Sequence, residues 1–590
     1  MELKGLKRTT YCGLVTREFS NQEIVLEGWV NRKRNLGSLI FIDLRDREGL
    51  VQIVFKEGNE IFEIADSLKP EYCIKVKGIV KERESKNPNL YTGEIEVICD
   101  GIEIYSKSKA LPFLIEEGYD VNENLKFKYR YLSLRDERCQ KVFKMRNEAS
   151  YAFREFLHND GFIEISTPIL NKSTPEGARD FLVPSRINKG TFYALPQSPQ
   201  IYKQLLMISN FDKYYQMATC FRDEDLRANR QPEFTQVDIE MSFVDEQDVK
   251  SKMEGLIKHV FHKTIGLTIE DKFIEMSYED CLNFYGSDKP DIRFEMKIMD
   301  MKEDFLNSEF PIFKDCIENN KEIRGIKAEN SSFSRKQFDK FTEFVKNHFG
   351  AKGLVYINYK DGQIASSINK FLTEEDKGRL TEKYNLKNGD CLFIISDTKK
   401  VVLSALGALR LELANHLELL KDNKEFKFLW VTDFPLYEYS EEDGRYYAAH
   451  HPFTMPNEDD IKYFDTKEYS KIRAKAYDLV LNGEEIGGGS IRIYNDEIQK
   501  KMFEALGLSE EDVQNKFEFF VEALKYGTPP HGGIAFGFDR IVMFLTDTND
   551  IKNVIAFPKN KKAECLLSQA PNEVSEAQLD EIGIEIKNED

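Results

Sequence analysis

A charged loop between two strand-like segments constrains the fold of this chain more than any other feature. Residues 214–220 and 234–243 are rich in aromatic and β-branched side chains, and the loop between them is dense in charge. Alternation along the second segment places Phe234, Gln236, Asp238 and Glu240 on one face. Three polar side chains on one strand face indicate a functional surface. The alternative is a strand at the solvent-facing edge of a sheet.

Length and composition place the chain among multidomain globular proteins. The 590 residues are 41% hydrophobic and 31% charged, which excludes collagen-like, disordered and small disulfide-scaffold classes. No apolar run reaches about 18 residues, so we expect no membrane span. The nine cysteines are scattered singly and the N-terminus lacks an apolar leader, which predicts a reduced cytoplasmic protein. The net charge of −19 confines any nucleic-acid contact to a local surface.

The first 110 residues have the pattern of a small all-β domain. Short β-branched or aromatic runs alternate with turn signals, and they predict five strands, at residues 24–30, 39–44, 50–55, 73–80 and 94–98. Five short strands in about 100 residues favour a closed barrel of the OB type, with a β-sandwich as the alternative.

A second glycine-rich segment, residues 532–540, runs into an apolar helix. Its glycines allow close backbone approach, and Arg540 at the helix start is placed to hold a phosphate by charge-assisted hydrogen bonds. Alone, such a segment is weak evidence, since glycine before a helix is often only a turn.

Together the two segments resemble motifs 2 and 3 of the class II aminoacyl-tRNA synthetases, and residues 161–168, ending at Pro168, resemble motif 1. An OB-like domain ahead of them is similar to the aspartyl, asparaginyl and lysyl subclass. The strings at 174–180, 197–200, 221–225 and 450–454 resemble the bacterial-type aspartyl-tRNA synthetases.

The resemblance implies an α+β multidomain fold: an N-terminal OB-fold β-barrel, a class II antiparallel sheet flanked by helices, and an inserted α/β domain. The expected divisions are the anticodon-binding barrel (1–110), a hinge (111–140), the catalytic domain (141–289 and 426–556), the insertion (290–425) and a C-terminal extension (557–590).

The implied reaction is ATP-dependent activation of L-aspartate to aspartyl-adenylate, followed by transfer to the 3′ end of tRNA(Asp). Activation brings anions together, so it needs fixed cations and Mg²⁺. Arg222 and Arg540 match the catalytic cations, and Asp478 and Glu485 match the carboxylates that hold Mg²⁺. The implied ATP-binding set is Arg222, Asp223, Glu224, Gln231, Phe234, Glu485, Gly537, Phe538, Asp539 and Arg540.

An acidic substrate needs cations around its β-carboxylate, and a bidentate arginine has the best geometry. Arg492 matches this arginine and Lys203 a second cation, while His450 matches a histidine on a mobile loop. The implied aspartate-binding set is Glu176, Ser198, Gln200, Lys203, Arg222, Asp238, His450 and Arg492.

Two rivals are less favoured. An asparaginyl enzyme would leave two cations facing a neutral amide. A non-enzymatic nucleic-acid-binding paralogue would not be expected to retain Arg222, Asp478, Glu485 and Arg540.

The barrel offers a base-binding surface. Alternation puts Ile40, Ile42 and Leu44 on the core face and turns Phe41 outward, where it can stack an unpaired base. The alternative is a partly buried core phenylalanine. The implied anticodon-binding set is Arg34, Phe41, Gln52 and Glu96.

Two further expectations concern partners. Motif 1 implies a homodimer. A further alternative is a non-discriminating enzyme that also charges tRNA(Asn). That type resembles a pattern with a histidine near position 36 and a glycine at position 38, whereas the loop 34–38 of this chain has Leu36 and Ser38. The discriminating type is therefore favoured.

Overall fold

The computed structural model describes residues 3–58, 60–174, 178–331 and 333–587. The chain divides into two compact units. The N-terminal unit comprises Met1–Asn147, Leu226–Ala228 and Thr548–Glu573, and the main unit comprises Glu148–Asp225, Asn229–Asp547 and Val574–Asp590.

The N-terminal unit contains a closed five-stranded barrel with the order β1-β2-β3-β5-β4. Its elements are β1 (Glu23–Asn35), β2 (Leu39–Asp46), β3 (Gly49–Lys56), α1 (Glu60–Ser67), β4 (Cys73–Glu82) and β5 (Ile95–Ser106). Strand β4 pairs with β1 and closes the cylinder, so the barrel prediction is confirmed and the sandwich alternative is wrong. Ile40, Ile42 and Leu44 are fully buried, as the alternation predicts, whereas Phe41 is half-buried and lies outside the barrel core.

Three helices follow the barrel: α2 (Glu123–Lys128), α3 (Arg130–Ser133) and α4 (Glu137–Asn159). The predicted hinge at 111–140 is largely helical, and α4 begins earlier than the predicted Lys141 because the Asp136 carboxylate accepts the N–H of Arg138. Buried Arg130 donates to the carbonyls of Ala556 and Ile555, so the segment Thr548–Glu573 packs within this unit.

The main unit begins with the segments around motifs 1 and 2. These are β6 (Ile163–Glu164), β7 (Leu182–Pro184), β8 (Phe192–Ala194), α5 (Gln200–Ile208), β9 (Lys213–Phe221), β10 (Glu233–Ser242), α6 (Glu246–Ile265), β11 (Ile274–Ser277) and α7 (Tyr278–Tyr285).

The inserted segment follows. It contains β12 (Met299–Asp300), α8 (Pro311–Glu318), β13 (Glu322–Ala328), α9 (Arg335–Phe349), β14 (Val355–Lys360), β15 (Gln363–Ser366), α10 (Glu374–Lys383), β16 (Cys391–Asp397) and α11 (Lys399–His416).

The chain then returns to the motif 3 region. The remaining elements are β17 (Phe428–Thr432), β18 (Tyr437–Ser440), β19 (Arg445–Ala448), α12 (Lys462–Thr466), β20 (Ala476–Leu481), β21 (Glu484–Ile491), α13 (Asp496–Ala505), α14 (Glu510–Leu524), β22 (His531–Gly537), α15 (Phe538–Leu545) and α16 (Glu576–Ile582).

An eight-stranded sheet forms the centre of the main unit, in the order β11-β17-β20-β21-β22-β10-β9-β6. All neighbours are antiparallel except the outermost pairs β11–β17 and β6–β9. The α+β fold is therefore confirmed. Strand β10 pairs on both sides, so the edge-strand alternative is wrong, and Asp238 and Glu240 are 0% exposed.

The insertion folds around its own five-stranded antiparallel sheet, in the order β12-β13-β16-β14-β15. Central strand β16 is buried at every position because helices cover both faces. One core cluster involves α9 and α11, and another involves α8 and α10. This architecture confirms the inserted α/β domain.

One buried arginine joins the start of the insertion to α11. Arg410 is 1% exposed, and its guanidinium donates to the carbonyls of Asp291, Phe294, Glu295 and Met296. It also stacks 3.8 Å from the Phe294 ring centroid. Because burial disfavours the charge more than nearby Asp291 favours it, the pKa of Arg410 falls to about 10.

Arg410→Met should loosen the insertion, since it keeps an apolar stem but removes every donor from four carbonyls. We expect the opening free energy of α11 to fall by about 2–4 kcal/mol. Hydrogen exchange of the full chain, read by mass spectrometry, measures this quantity. The exposed Arg335→Met serves as the control and should change it by less than about 0.5 kcal/mol. Equal protection in both variants would contradict the assignment.

Candidate active site

Four charged side chains meet in the middle of the eight-stranded sheet. Asp238 and Glu240 project from β10, Lys203 from α5, and Arg492 directly follows β21. Lys203 Nζ lies 3.2 Å from Asp238 Oδ1 and 3.5 Å from Glu240 Oε2. Arg492 donates from Nε and Nη2 to the two oxygens of Glu240, at 2.9 and 3.2 Å. The four charges therefore balance to zero in this buried network.

Burial and pairing compete in setting the pKa values here. Burial opposes ionisation of Glu240, but Arg492 and Lys203 outweigh it and hold the pKa below its ordinary value. For Asp238, burial dominates and raises the pKa, although Lys203 opposes the shift. Oxygen Oδ2 of Asp238 is buried and has no partner among the described residues, and neither has Gln200 Nε2. Two unsatisfied polar atoms beside a cation network indicate a ligand that is itself charged.

The partners of Arg492 differ from those that the sequence predicts. Its bidentate edge was expected to face the substrate carboxylate, but Glu240 takes that edge. Only Nη1 remains, and it donates to Ser490 Oγ at 2.6 Å and lies 2.6 Å from His451 Nε2. Glu240 and Asp238 thus already pair with both cations of this pocket.

The two histidines of the loop after β19 point to different subsites. His450 Nε2 lies 3.9 Å from Asp478 Oδ1, and its ring packs on Phe434. Burial, followed by Arg492, lowers the pKa of His450 to about 4, so the ring is neutral at physiological pH. His451, which the sequence did not single out, is the one in contact with Arg492.

The motif 2 strands bring a cation and an aromatic ring together. The Arg222 guanidinium lies 5.1 Å from the Phe234 ring centroid, and the Arg222 N–H donates to the Pro232 carbonyl. In the same loop, Glu224 pairs with Arg230 at 3.0 Å. Gln231 is buried nearby, while the backbone of Asp223 bonds to Arg179.

Some motif 3 side chains are buried in the fold, whereas Arg540 is only partly buried. Gly537 lies opposite Gln236 at the end of β22, and α15 starts at the next residue. The Asp539 carboxylate accepts the Thr235 N–H at 2.7 Å and Phe538 is buried, so both side chains contribute to packing. Arg540 Nη1 donates to the carbonyl of Glu485 at 2.7 Å.

The two predicted Mg²⁺ carboxylates converge on one glycine. A Cβ on Gly488 would lie 2.9 Å from Asp478 Oδ1 and 3.4 Å from Glu485 Oε1. Burial, with Glu485 and Asp288 nearby, raises the pKa of Asp478 well above its ordinary value. Within the described ranges no three His, Cys, Asp or Glu side chains form a metal-binding group. Two hard oxygen ligands that repel each other fit Mg²⁺, which commonly takes its remaining ligands from phosphates and water.

The remaining aspartate-binding candidates lie at the N-terminus of α5. Ser198 Oγ accepts the Gln200 N–H at 3.3 Å, and Gln200 itself is buried. Glu176 lies outside the described residues.

The predicted anticodon residues form a chain of hydrogen bonds on the barrel of the N-terminal unit. Arg34 Nη2 donates to Gln52 Oε1 at 3.0 Å, and Gln52 Nε2 donates to Glu96 Oε2 at 2.8 Å. The Arg34 guanidinium also lies 5.7 Å from the Phe41 ring centroid. The sequence did not single out Arg83, whose buried Nε has no partner among the described residues and whose pKa is lowered by burial against the opposing charge of Glu96.

Comparisons with known proteins agree with this geometry. The family model for class II tRNA synthetases (D, K and N) matches residues 122–561, and an OB-fold nucleic acid binding domain matches residues 24–105. The chain therefore belongs to the class II aminoacyl-tRNA synthetases and is an aminoacyl-tRNA ligase.

Curated relatives narrow the family. The chain is 53% identical over 592 residues to an aspartate–tRNA ligase from Clostridium perfringens, covering 100% of this chain and 99% of that protein. It is 54% identical over 589 residues to the one from Clostridium tetani, covering 99% of each. Within the class it is thus a member of the aspartate–tRNA ligase family. The alternative of an enzyme that also charges tRNA(Asn) finds no support in these relatives.

Solved structures show the same fold. An asparaginyl-tRNA synthetase from Pyrococcus horikoshii, complexed with asparaginyl-adenylate, has a TM-score of 0.58 at 19% identity, covering 94% of this chain and 98% of that chain. At this identity the likeness concerns the fold alone. Separately, none of the helices among the described residues is long and apolar enough to cross a membrane.

Glu240→Gln should destabilise the main unit, because it leaves Arg492 and Lys203 short of a buried partner. Since folding lowers the pKa of Glu240, its stabilisation is present above its ordinary pKa of 4.5 and is lost as the pH falls through the lowered value. We expect a loss of about 3–5 kcal/mol at pH 7, and a smaller loss in acid.

Urea unfolding at pH 7 and pH 4 measures both quantities. Glu441→Gln, on an exposed turn, is the matched control and should leave the unfolding midpoint unchanged at both pH values. A pH-independent loss, or an equal loss in the control, would contradict the assigned role of Glu240.

Proposed function

We propose that this enzyme joins the α-carboxylate of L-aspartate to the α-phosphate of ATP, and then transfers the aspartyl group to the terminal ribose of tRNA(Asp). Diphosphate leaves in the first step and AMP in the second. The observation that carries the proposal is the buried network of Lys203, Asp238, Glu240 and Arg492, with the unpartnered Asp238 oxygen inside it.

The network supports recognition of both ends of the amino acid. The α-ammonium group donates to Asp238 Oδ2, supplying the positive charge that this oxygen lacks. Gln200, one helical turn before Lys203 on α5, offers a second buried polar atom without a partner among the described residues. The β-carboxylate then meets Lys203 and Arg492 Nη1. A zwitterion with an extra carboxylate thus adds one positive and two negative charges, and Arg222 balances the last of these.

Activation needs no protein base, because the substrate carboxylate is already a nucleophile. The barrier lies in bringing two anions together and in spreading charge on the phosphate. Arg222 holds the reacting α-phosphate and carboxylate, and Arg540 holds the far end of the triphosphate. Phe234 stacks on the adenine, and Glu224, Gln231 and the backbone after Gly537 hold the rest of the nucleotide.

Asp478 and Glu485 are the residues that would hold Mg²⁺. The ion supplies charge neutralisation on the phosphate oxygens when bound. The raised pKa of Asp478 and the glycine that both carboxylates face support this role.

Arg222→Ala and Arg540→Ala should each lower kcat/KM for aspartate activation by at least about 100-fold, the scale of losing one charge contact in the transition state. Aspartate-dependent ATP–diphosphate exchange measures the loss, and circular dichroism checks folding. Exchange near the wild-type rate in both variants would refute the phosphate assignment.

We place anticodon recognition on the barrel, and tRNA is the implied partner. The hydrogen-bonded series Arg34, Gln52 and Glu96 offers donors and acceptors to base edges, and half-buried Phe41 offers a ring face beside it. Stacking on such a ring contributes about 1–3 kcal/mol per base.

Phe41→Ala should therefore raise KM for tRNA(Asp) by about 5–150-fold, the equivalent of the stacking energy. ATP–diphosphate exchange should stay unchanged, because activation uses the main unit. Parallel measurement of tRNA charging and exchange tests both statements. An equal fall in exchange would show that Phe41 acts through barrel stability instead.

We also propose a homodimer formed through the motif 1 segment. Strand β6 is the last strand of the large sheet, and Ile163, Ile169 and Leu170 are 47%, 49% and 54% exposed. Apolar side chains this exposed at a sheet edge support burial by a second copy of the chain.

The nine cysteines are all free, which supports a cytoplasmic enzyme.

Light scattering should give the mass of two chains at micromolar concentration. Ile169→Lys should shift the protein toward the mass of one chain, because it places a charge in an apolar interface. A single-chain mass for the unmodified protein would overturn the dimer.

A further inference from the structure

The two carboxylates proposed to hold Mg²⁺ lie on the two strands of one hairpin. Strands β20 and β21 join through the two-residue turn Asn482-Gly483, whose φ angles of 51° and 88° are both positive. Two central residues with positive φ are typical of a type I′ turn, for which asparagine followed by glycine is a favoured sequence. The turn therefore fixes how the strand that carries Asp478 meets the strand that carries Glu485.

A register shift in this hairpin brings the two carboxylates to one face. Asp478 lies opposite Gly488. Two residues further along β20, Val480 lies opposite Glu485 rather than Ile486. Because residues directly opposite each other share a face, and Asp478 and Val480 share one as well, Glu485 points to the same face as Asp478. Without this bulge Glu485 would turn to the other face, so the site depends on the register of the last pairs before the turn.

The end of the insertion holds the turn through Asn482. The Asn482 side chain accepts the Lys427 N–H at 2.9 Å and donates to the Glu425 carbonyl at 2.8 Å. The Asn482 N–H donates to the Lys427 carbonyl at 3.3 Å. Three hydrogen bonds thus tie one turn residue to the segment in which the chain leaves the insertion and enters β17.

The start of the insertion lies against the other turn residue. A Cβ on Gly483 would lie 3.2 Å from the Cβ of Asp291, so glycine allows an approach that a side chain would crowd. Asp291 is itself fixed twice. Arg293 donates to its carboxylate at 2.6 Å, and Arg410 of α11 donates to its carbonyl at 2.7 Å. A path of direct contacts therefore runs from α11 to the turn.

Two groups on the nucleotide side bind the same hairpin just beyond the turn. Asn229, from the motif 2 loop, donates to the Glu484 carboxylate at 3.0 Å. Arg540, the proposed contact of the far end of the triphosphate, donates to the Glu485 carbonyl at 2.7 Å. The turn thus lies between the insertion and the proposed nucleotide site.

We infer that Asn482 is a positioning residue: it anchors a turn that both ends of the insertion clamp, and so holds Asp478 and Glu485 in the register that Mg²⁺ with ATP requires. This inference rests on the proposed Mg²⁺ role of the two carboxylates and extends it. Two like charges on one face repel each other, so an unclamped hairpin relaxes to separate them. A clamped turn keeps them converged in advance, which lowers the ordering cost of binding.

Asn482→Gly tests the anchor, because it removes the side-chain hydrogen bonds but keeps a residue that adopts positive φ without strain. We expect the Mg²⁺ concentration that gives half-maximal ATP binding to rise about 5–30-fold, the scale of two hydrogen bonds. Excess Mg²⁺ should restore ATP binding to the wild-type level, since the carboxylates remain. Asn385→Gly, at an exposed position with a φ of 45°, is the matched control and should keep the wild-type dependence on Mg²⁺.

Arg410→Met tests the clamp from the insertion side and leaves the sequence of the turn intact. It removes the donor that holds the Asp291 carbonyl. The half-maximal Mg²⁺ concentration should rise in this variant too, by a smaller factor because Asn482 stays bound. Exposed Arg335→Met is its control and should leave that concentration unchanged.

Equilibrium dialysis of the full chain with labelled ATP, over a range of Mg²⁺ concentrations, measures binding without turnover. ATP–diphosphate exchange at saturating Mg²⁺ gives KM for aspartate in parallel, and this should stay at the wild-type value. A merely structural defect would lower the amount of ATP bound even in excess Mg²⁺, because unfolded chains are not restored by the ion.

Four results would overturn the inference: wild-type Mg²⁺ dependence in Asn482→Gly, failure of excess Mg²⁺ to restore its ATP binding, unchanged dependence in Arg410→Met, or ATP binding by the wild-type chain that is independent of Mg²⁺. A wild-type enzyme that binds ATP with Mg²⁺ but shows no aspartate-dependent exchange would instead refute the proposed function, so the two failures are distinguishable.

Discussion

The buried contact between Glu240 and the two cations Arg492 and Lys203 is the constraint on which the site depends. Burying a carboxylate in the centre of a sheet is costly unless it is paired, and Glu240 is paired on both of its oxygens. That requirement extends to the neighbouring strand, where Gly533 lies opposite Glu240 and a Cβ there would be 2.2 Å from Glu240 Oε2. Gly533, near the start of the motif 3 segment, therefore makes room for the charge network.

The glycines of β21 are explained in the same way, by the groups that lie where a side chain would be. Gly488 lies opposite Asp478 and leaves space for the two carboxylates, whereas a Cβ on Gly489 would meet the carbonyl of Gly533 at 2.2 Å. Arg492, at the end of the same strand, belongs to the amino-acid side. One short strand thus links Asp478 and Glu485, the proposed Mg²⁺ ligands, to Arg492, the proposed substrate-reading cation, and substitution of its glycines would disturb both.

Periodicity in the sequence predicted a large part of this architecture. The barrel, the insertion and the polar face of β10 all follow from local patterns that the tertiary structure preserves. The partners of Glu240 did not follow, because Arg492 is 252 residues away and the pairing exists only through sheet register. The contrast between His450 and His451 was equally hidden, since adjacent loop residues diverge according to backbone hydrogen bonds that no sequence pattern records.

Substrate preference in ATP–diphosphate exchange tests the central claim most directly. Purified enzyme is assayed with aspartate, asparagine, glutamate and lysine at equal concentrations. The paired network, with donors converging on the β-position, predicts a kcat/KM for aspartate at least about 100-fold above that for asparagine. Comparable exchange with asparagine, or none with aspartate, would contradict the account.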